Sequence, residues 1–383
     1  MTEPFDDLDQ LVSELEGLQV ASNRGPSRLD TWLRLVAERE ASDLLLVAGE
    51  PPSLRINGKI VRSDGVILDG TDIEEIVLAD LPTHAQRAFR ESGIADASRR
   101  VAGVGRFRIN LHRERGRAAA IIRMLPRRVP SLASLDLPPG TELLSRLPRG
   151  LVLVGGATGS GKTTTLAALI QEINARDAKH IITIEDPIEY EHTNLKSIIQ
   201  QIEIGIDAPS FPVALRAALR QAPDVIVIGE MRDPETMQIA LAAGETGHLV
   251  LSTLHTTDIA STIARMTDSF PAERQPTIRQ EVSAALAGVF VQMLIPRRAP
   301  RPGATGGRVP AAELLIVGYG ARQHIRRNAL QHLHQEITIT RKDGSFSLEE
   351  CLARLVKAGE IDRGEAAARA NHVADFEHAL ASN

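Results

Sequence analysis

The chain has 383 residues, 43% of them hydrophobic and 24% charged, with a net charge of -5, 3% aromatic residues and one cysteine. That length has room for two ordinary domains, each burying its own core. Negative charge and sparse aromatics offer nucleic acid neither attraction nor stacking platforms, and Cys351 alone rules out a disulfide framework or a paired-cysteine zinc site.

The start of the chain, Met1 to Asp7, is acidic where a signal peptide would be basic. No apolar run approaches the roughly 20 residues that span a bilayer, so the sequence predicts a cytoplasmic protein. Residues 1–27 are polar, with helical spacing only in Leu8, Leu11, Leu15 and Leu18, and read as a mobile acidic extension. From Leu29 an amphipathic helix (Leu29, Trp32, Leu33, Leu35, Val36) leads into short β-like runs at 44–47, 54–56, 104–110 and 118–124. A small α+β domain is expected over 28–138. Pro126, Pro130, Pro138, Pro139 and Pro148 punctuate the end of this region, which predicts an interdomain linker at 139–150.

Beyond Gly150 the pattern changes to apolar runs without alternation (151–154, 181–184, 225–228, 249–253), each followed by a helical segment. Such runs suit strands buried on both faces of a mostly parallel sheet, so residues 151–383 are expected to form an α/β domain. Pro296 to Arg308 reads as an exposed loop before a strand at 312–317. A last helical stretch opens with Ser347 and Glu350 at capping-box spacing and stops at Gly359.

Gly156-Ala157-Thr158-Gly159-Ser160-Gly161-Lys162-Thr163 fits G-x-x-x-x-G-K-[ST], after one apolar run and before a helix-forming segment (164–175). Its glycines let backbone N–H groups converge on the phosphates of ATP, and the helix N-terminus adds its positive end. Gly156, Thr158, Gly159, Ser160, Gly161, Lys162, Thr163 and Thr164 are therefore the expected nucleotide site. Lys162 reaches the β- and γ-phosphates and the Thr163 hydroxyl is a Mg²⁺ ligand. Carboxylates at neighbouring strand ends complete a hydrolytic site. Glu185, Asp186 and Glu189 follow the second run and Glu230 follows the third. Glu230 is expected to orient or activate water, with Glu185 positioning water or metal. His255, just past the fourth run, is either a γ-phosphate or inter-subunit sensor or a structural histidine, and His248 is the weaker candidate.

Taken together, the chain from Ala41 to about Ile361 resembles the type II/IV secretion ATPase superfamily, and within it the PilT-like type IV pilus retraction ATPases of twitching motility. The resemblance rests on Ala41-Ser42-Asp43-Leu44, Gly49-Glu50-Pro51-Pro52, Arg106-Phe107-Arg108 and the P-loop. It continues in Thr183-Ile184-Glu185-Asp186-Pro187-Ile188-Glu189 (the Asp box), Gly229-Glu230-Met231-Arg232-Asp233 (Walker B) and Glu245 to Thr256 (the His box). It implies a PAS-like domain before a RecA-like P-loop core, six copies in a ring, ATP between the two domains, and an inner-membrane platform protein as partner. Membrane association would then be peripheral, through that partner. The resemblance also implies arginines as charge stabilisers, suited to the equatorial oxygens of a γ-phosphate. Arg106, Arg108, Arg115 and Arg123 are candidates, with Arg108 and Arg123 preferred.

One cysteine and a short extension do not fit the larger assembly and secretion ATPases, which carry a further N-terminal domain and a four-cysteine zinc segment. Three departures from the retraction pattern stand against this: Arg322 at an otherwise apolar position of 321–327, Ala157 for proline, and Ile202 for arginine. They leave open an assembly or secretion motor, or an accessory paralogue. A purely regulatory nucleotide-binding partner would not need the intact set Lys162, Thr163, Glu185, Glu230 and His255, and charge disfavours a nucleic-acid translocase.

Overall fold

The computed structural model describes residues 27–56, 58–299 and 307–382. The predicted N-terminal extension lies outside them except for Ser27, as does most of the predicted 296–308 loop. The chain divides after Arg127 into two compact units. Among the described residues, no helix is long and apolar enough to cross a membrane.

The first unit is α+β, as expected. Its opening helix, Arg28–Glu38, buries Leu29, Leu33 and Val36, and its N-terminus is capped by Ser27, whose hydroxyl accepts from the Asp30 N–H at 3.1 Å. Strands β1 (Asp43–Leu46), β2 (Ser53–Ile56), β3 (Lys59–Arg62), β4 (Ile94–Val101), β5 (Gly105–Glu114) and β6 (Arg117–Met124) form an antiparallel sheet ordered β3-β2-β1-β6-β5-β4. Helices Gly70–Leu78 and Thr83–Ser92 cover one face. Period-two alternation sends Phe107, Ile109 and Leu111 of β5 into that core with Ala118, Ala120 and Ile122 of β6. The other face carries Arg108 and Arg123, directly opposite each other on β5 and β6.

The second unit is α/β. Strands β7 (Gly150–Gly155), β8 (His180–Glu185), β9 (Ile198–Glu203), β10 (Val225–Ile228), β11 (Leu249–Leu254), β12 (Leu286–Pro296) and β13 (Arg308–Ile316) make a sheet ordered β13-β12-β7-β11-β10-β8-β9. All pairs are parallel except β12 with β13. Helices Lys162–Arg176, Phe211–Ala218, Pro234–Glu245 and Ile259–Asp268 follow β7, β9, β10 and β11. Parallel order places the carboxyl ends of β7, β8, β10 and β11 on one edge, where ligands bind in such sheets.

The sequence places the second domain at 151 and an irregular linker at 139–150, whereas the structure places residues from Arg128 in the second unit. Segment 139–150 holds a 3₁₀ turn, Thr141–Arg146. The reason is burial: Leu132 and Leu144 pack with Leu166, Leu169 and Ile173 of the P-loop helix. Arg176 from that helix donates to Ser145 O at 2.6 Å and Oγ at 3.0 Å. Prolines here punctuate a packed segment, and its leucines decide where it belongs.

Candidate nucleotide site

β7 ends at Gly155, and the chain turns through residues 156–161 into the helix that begins at Lys162. Gly156, Gly159 and Gly161 adopt φ of +150°, +77° and +91°, a region that side chains with a Cβ rarely enter. At Gly156 space is also closed: a Cβ would lie 2.3 Å from Ser160 Oγ and 2.5 Å from the Gln292 carbonyl oxygen. Lys162 Nζ donates to the carbonyls of Gly156 at 2.8 Å and Ala157 at 3.0 Å. Burial draws its pKa below the ordinary lysine value, while Glu230 and Glu189 pull it back up.

The loop is braced from outside. Gln292 on β12 donates its Nε2 to Ser160 O at 2.6 Å, and the Thr165 hydroxyl donates to Gln292 Oε1 at 2.7 Å. Thr164 Oγ1 lies 3.0 Å from the Tyr190 hydroxyl. Thr163 is half-buried in the first turn of the helix. Ser160 Oγ is buried without a hydrogen-bond partner among the described residues. A buried, unmatched hydroxyl in a loop of convergent N–H groups at a helix N-terminus fits a nucleotide phosphate.

Three strand ends add the polar side chains. Glu230, two residues past β10, receives Arg232 Nη2 at 2.8 Å and lies 3.2 Å from His255 Nε2. Burial works against its charge, but Arg232 and His255 outweigh it and hold the carboxyl below the usual range. The other His255 nitrogen, Nδ1, lies 3.5 Å from both Lys162 Nζ and Thr158 Oγ1. His255 thus joins Walker B to the P-loop. Glu185, at the end of β8, accepts from Thr183 Oγ1 at 2.7 Å and Gln201 Nε2 at 3.2 Å. Burial raises its pKa, and those hydrogen bonds resist the rise. The two glutamates are pushed in opposite directions.

His248 belongs elsewhere. At the opposite end of β11, its Nδ1 lies 3.1 Å from the Ala243 carbonyl of the preceding helix, which is a structural role. Arg108 and Arg123 lie in the first unit. Arg123 Nε donates to Asp43 Oδ1 at 2.8 Å, and Asp43 is buried to 3% exposure. Arg108 is 3.6 Å from Asp96. Gln292, Gln201 and Tyr190 escape sequence reading because each meets the site from a distant segment; Gln292 carries the one visible signal, a lone polar residue in an apolar strand.

The family model described as type II/IV secretion system protein matches residues 120–357. The Pseudomonas aeruginosa protein named Type IV pilus retractation ATPase PilT is 40% identical over 344 residues, covering 90% of this chain and 98% of its own. Type IV pilus ATPase PilU of the same organism is 37% identical, covering 90% and 89%. A crystal structure of the pilus retraction motor PilT with bound ADP matches with a TM-score of 0.81 and 41% identity, over 90% of this chain and 98% of that one. On sequence matched across nearly its whole length and on a shared fold, the chain belongs to the type II/IV secretion system protein family, as one of its PilT-like ATPases.

Proposed function

We propose that the chain is a hexameric motor that couples hydrolysis of Mg²⁺-ATP to type IV pilus retraction, acting in the cytoplasm on an inner-membrane platform protein. The observation that carries the chemistry is the convergence of Lys162, Glu230 and His255 at the carboxyl ends of β7, β10 and β11. When bound, ATP supplies the scissile phosphoanhydride and magnesium offsets its charge. Lys162 Nζ exchanges the Gly156 and Ala157 carbonyls for β- and γ-phosphate oxygens. The Thr163 hydroxyl would hold magnesium beside the phosphates.

Glu230, held ionised, accepts a hydrogen bond from the attacking water and orients it. His255 reports the state of the γ-phosphate to Glu230 through its two ring nitrogens. Glu185 positions water from the neighbouring strand. Arg108 and Arg123 serve as charge stabilisers in the assembled ring, with Arg123 oriented by Asp43.

Glu230→Gln keeps shape but loses the carboxylate, so ATP should bind and persist while turnover falls by about 10² to 10⁴. Hydrolysis at the wild-type rate would move the role to Glu185. The similarity to PilU and the change to Arg322 favour a second reading, an accessory motor of the same machine. Deleting the gene separates the two: retraction requires excess, non-retracting pili, whereas unchanged pili favour the accessory role.

A further inference from the structure

We infer that Gln292 is a positioning residue for phosphate binding, setting the direction of the P-loop's Ser160–Gly161 peptide from the neighbouring strand. The inference rests on the P-loop being the nucleotide site. Gln292 is 3% exposed and sits on β12, which pairs with β7, the strand that launches the loop. In the apolar run Leu286–Pro296 it is the one residue with a side-chain amide. A buried amide is costly unless both ends are matched, and here both are. Its N–H₂ end holds the Ser160 carbonyl at 2.6 Å and its oxygen takes the Thr165 hydroxyl at 2.7 Å.

The geometry of the peptide gives this clamp its consequence. In a planar trans peptide the C=O and the following N–H point in opposite directions. Fixing the Ser160 carbonyl toward Gln292 turns the Gly161 N–H away from β12, toward the concave side of the loop. Gly161 has φ of +91°, so its backbone has wide freedom without such a constraint. A Cβ there would lie 3.0 Å from Gln292 Nε2, which shows how closely the amide approaches. The Ser160 carbonyl, which only accepts, fixes which way round the amide sits, and Thr165, one turn into the helix, anchors its oxygen. The clamp therefore prepares a phosphate donor before any nucleotide arrives.

The test uses the full chain and a fluorescent ADP analogue, alongside thermal unfolding without nucleotide. Gln292→Met keeps volume and removes both hydrogen bonds. It should weaken ADP binding by about tenfold, the loss expected for a misdirected phosphate donor, in protein that still folds though its nucleotide-free melting temperature falls because the Ser160 carbonyl and Thr165 hydroxyl lose their partner. Thr165→Val leaves Gln292 in place but removes the anchor on its oxygen, and should weaken binding roughly two- to tenfold. Hydrogen exchange of the 156–162 segment in the nucleotide-free protein should quicken in both. Should Gln292→Met not fold, Thr165→Val decides alone. Wild-type ADP affinity in the folded variants overturns the inference. Lys162→Ala, measured in parallel, keeps the two readings apart. If it too binds ADP normally, the phosphate-site reading fails; if it alone loses affinity, only the role of Gln292 fails.

Discussion

Glu313, on β13, is a carboxylate in surroundings that oppose its charge. It is 6% exposed, accepts from the Ile259 N–H at 2.8 Å, and has Asp258 and Glu349 as charged neighbours. Burial foremost pushes its pKa up to about 8, from 4.5. The folded state thus keeps a proton that the unfolded chain releases, so stability falls as pH rises from about 4.5 to about 8 and levels off above. Glu313→Gln keeps an acceptor for Ile259 and cannot ionise. Its unfolding free energy, read by urea denaturation, should match wild type near pH 5 and exceed it at pH 8.5 by an amount on the order of 4 kcal/mol; parallel curves at the two pH values would contradict this. At this scale, legibility followed contiguity. The P-loop, Glu230 and His255 could be read because each stands in a motif or at the end of an apolar run. Gln292 and Gln201 could not, since their partners lie 132 and 16 residues away.

Among the elements, the helix Tyr319–Arg326 explains a departure from the family pattern. Arg322 donates to the carbonyls of Ser283 and, at 2.7 Å, Ala284, and Arg326 donates to Ser283 Oγ at 2.9 Å. Those carbonyls end the helix Gln275–Ala285, where no intrahelical donor remains. Arg322 is therefore a C-terminal cap made from another helix. Arg322→Ile, which restores an apolar residue, should cost about 1 to 2 kcal/mol, read from the urea midpoint; an unchanged midpoint would show the contact to be idle. Among the strands that sequence revealed, β7, β8, β10 and β11 are largely apolar runs at the centre of the second sheet. The capping box at Ser347 and Glu350 was equally plain and is present, with Glu350 N–H donating to Ser347 Oγ at 3.2 Å. β4 and β9 were harder to see. β4 alternates, but its inward residues include Ala95 and Ala97, which signal little burial, and β9 at the sheet edge carries Gln200 and Gln201. Helix Thr83–Ser92 buries only Ala85 and Phe89, too narrow a stripe to announce itself.

For the molecule as a whole, the division after Arg127 sets where it can be cut. A fragment of residues 128–383 keeps Leu132 and Leu144 in its core and should fold, whereas 148–383 loses both. Each fully buried leucine contributes about 1.5 to 3 kcal/mol, so the shorter fragment should have the lower denaturation midpoint. If the arginines of the first unit stabilise charge, the longer fragment should bind nucleotide yet hydrolyse it about 10³-fold or more slowly than the full chain. Full specific activity in that fragment would remove Arg108 and Arg123 from the chemistry. The first unit also meets a hazard of its own. β3 is the outermost strand of its sheet and all four of its residues are exposed, Ile60 and Val61 at 48% and 47%. Unpaired edge backbone invites a strand from any passing chain, and apolar side chains strengthen the invitation. Lys59 and Arg62 bracket that pair, so a second β3 laid alongside would bring like charges together. Charge at that edge, Lys59 with Arg62 held by Glu50 at 2.9 Å, works against copies of the chain pairing edge to edge.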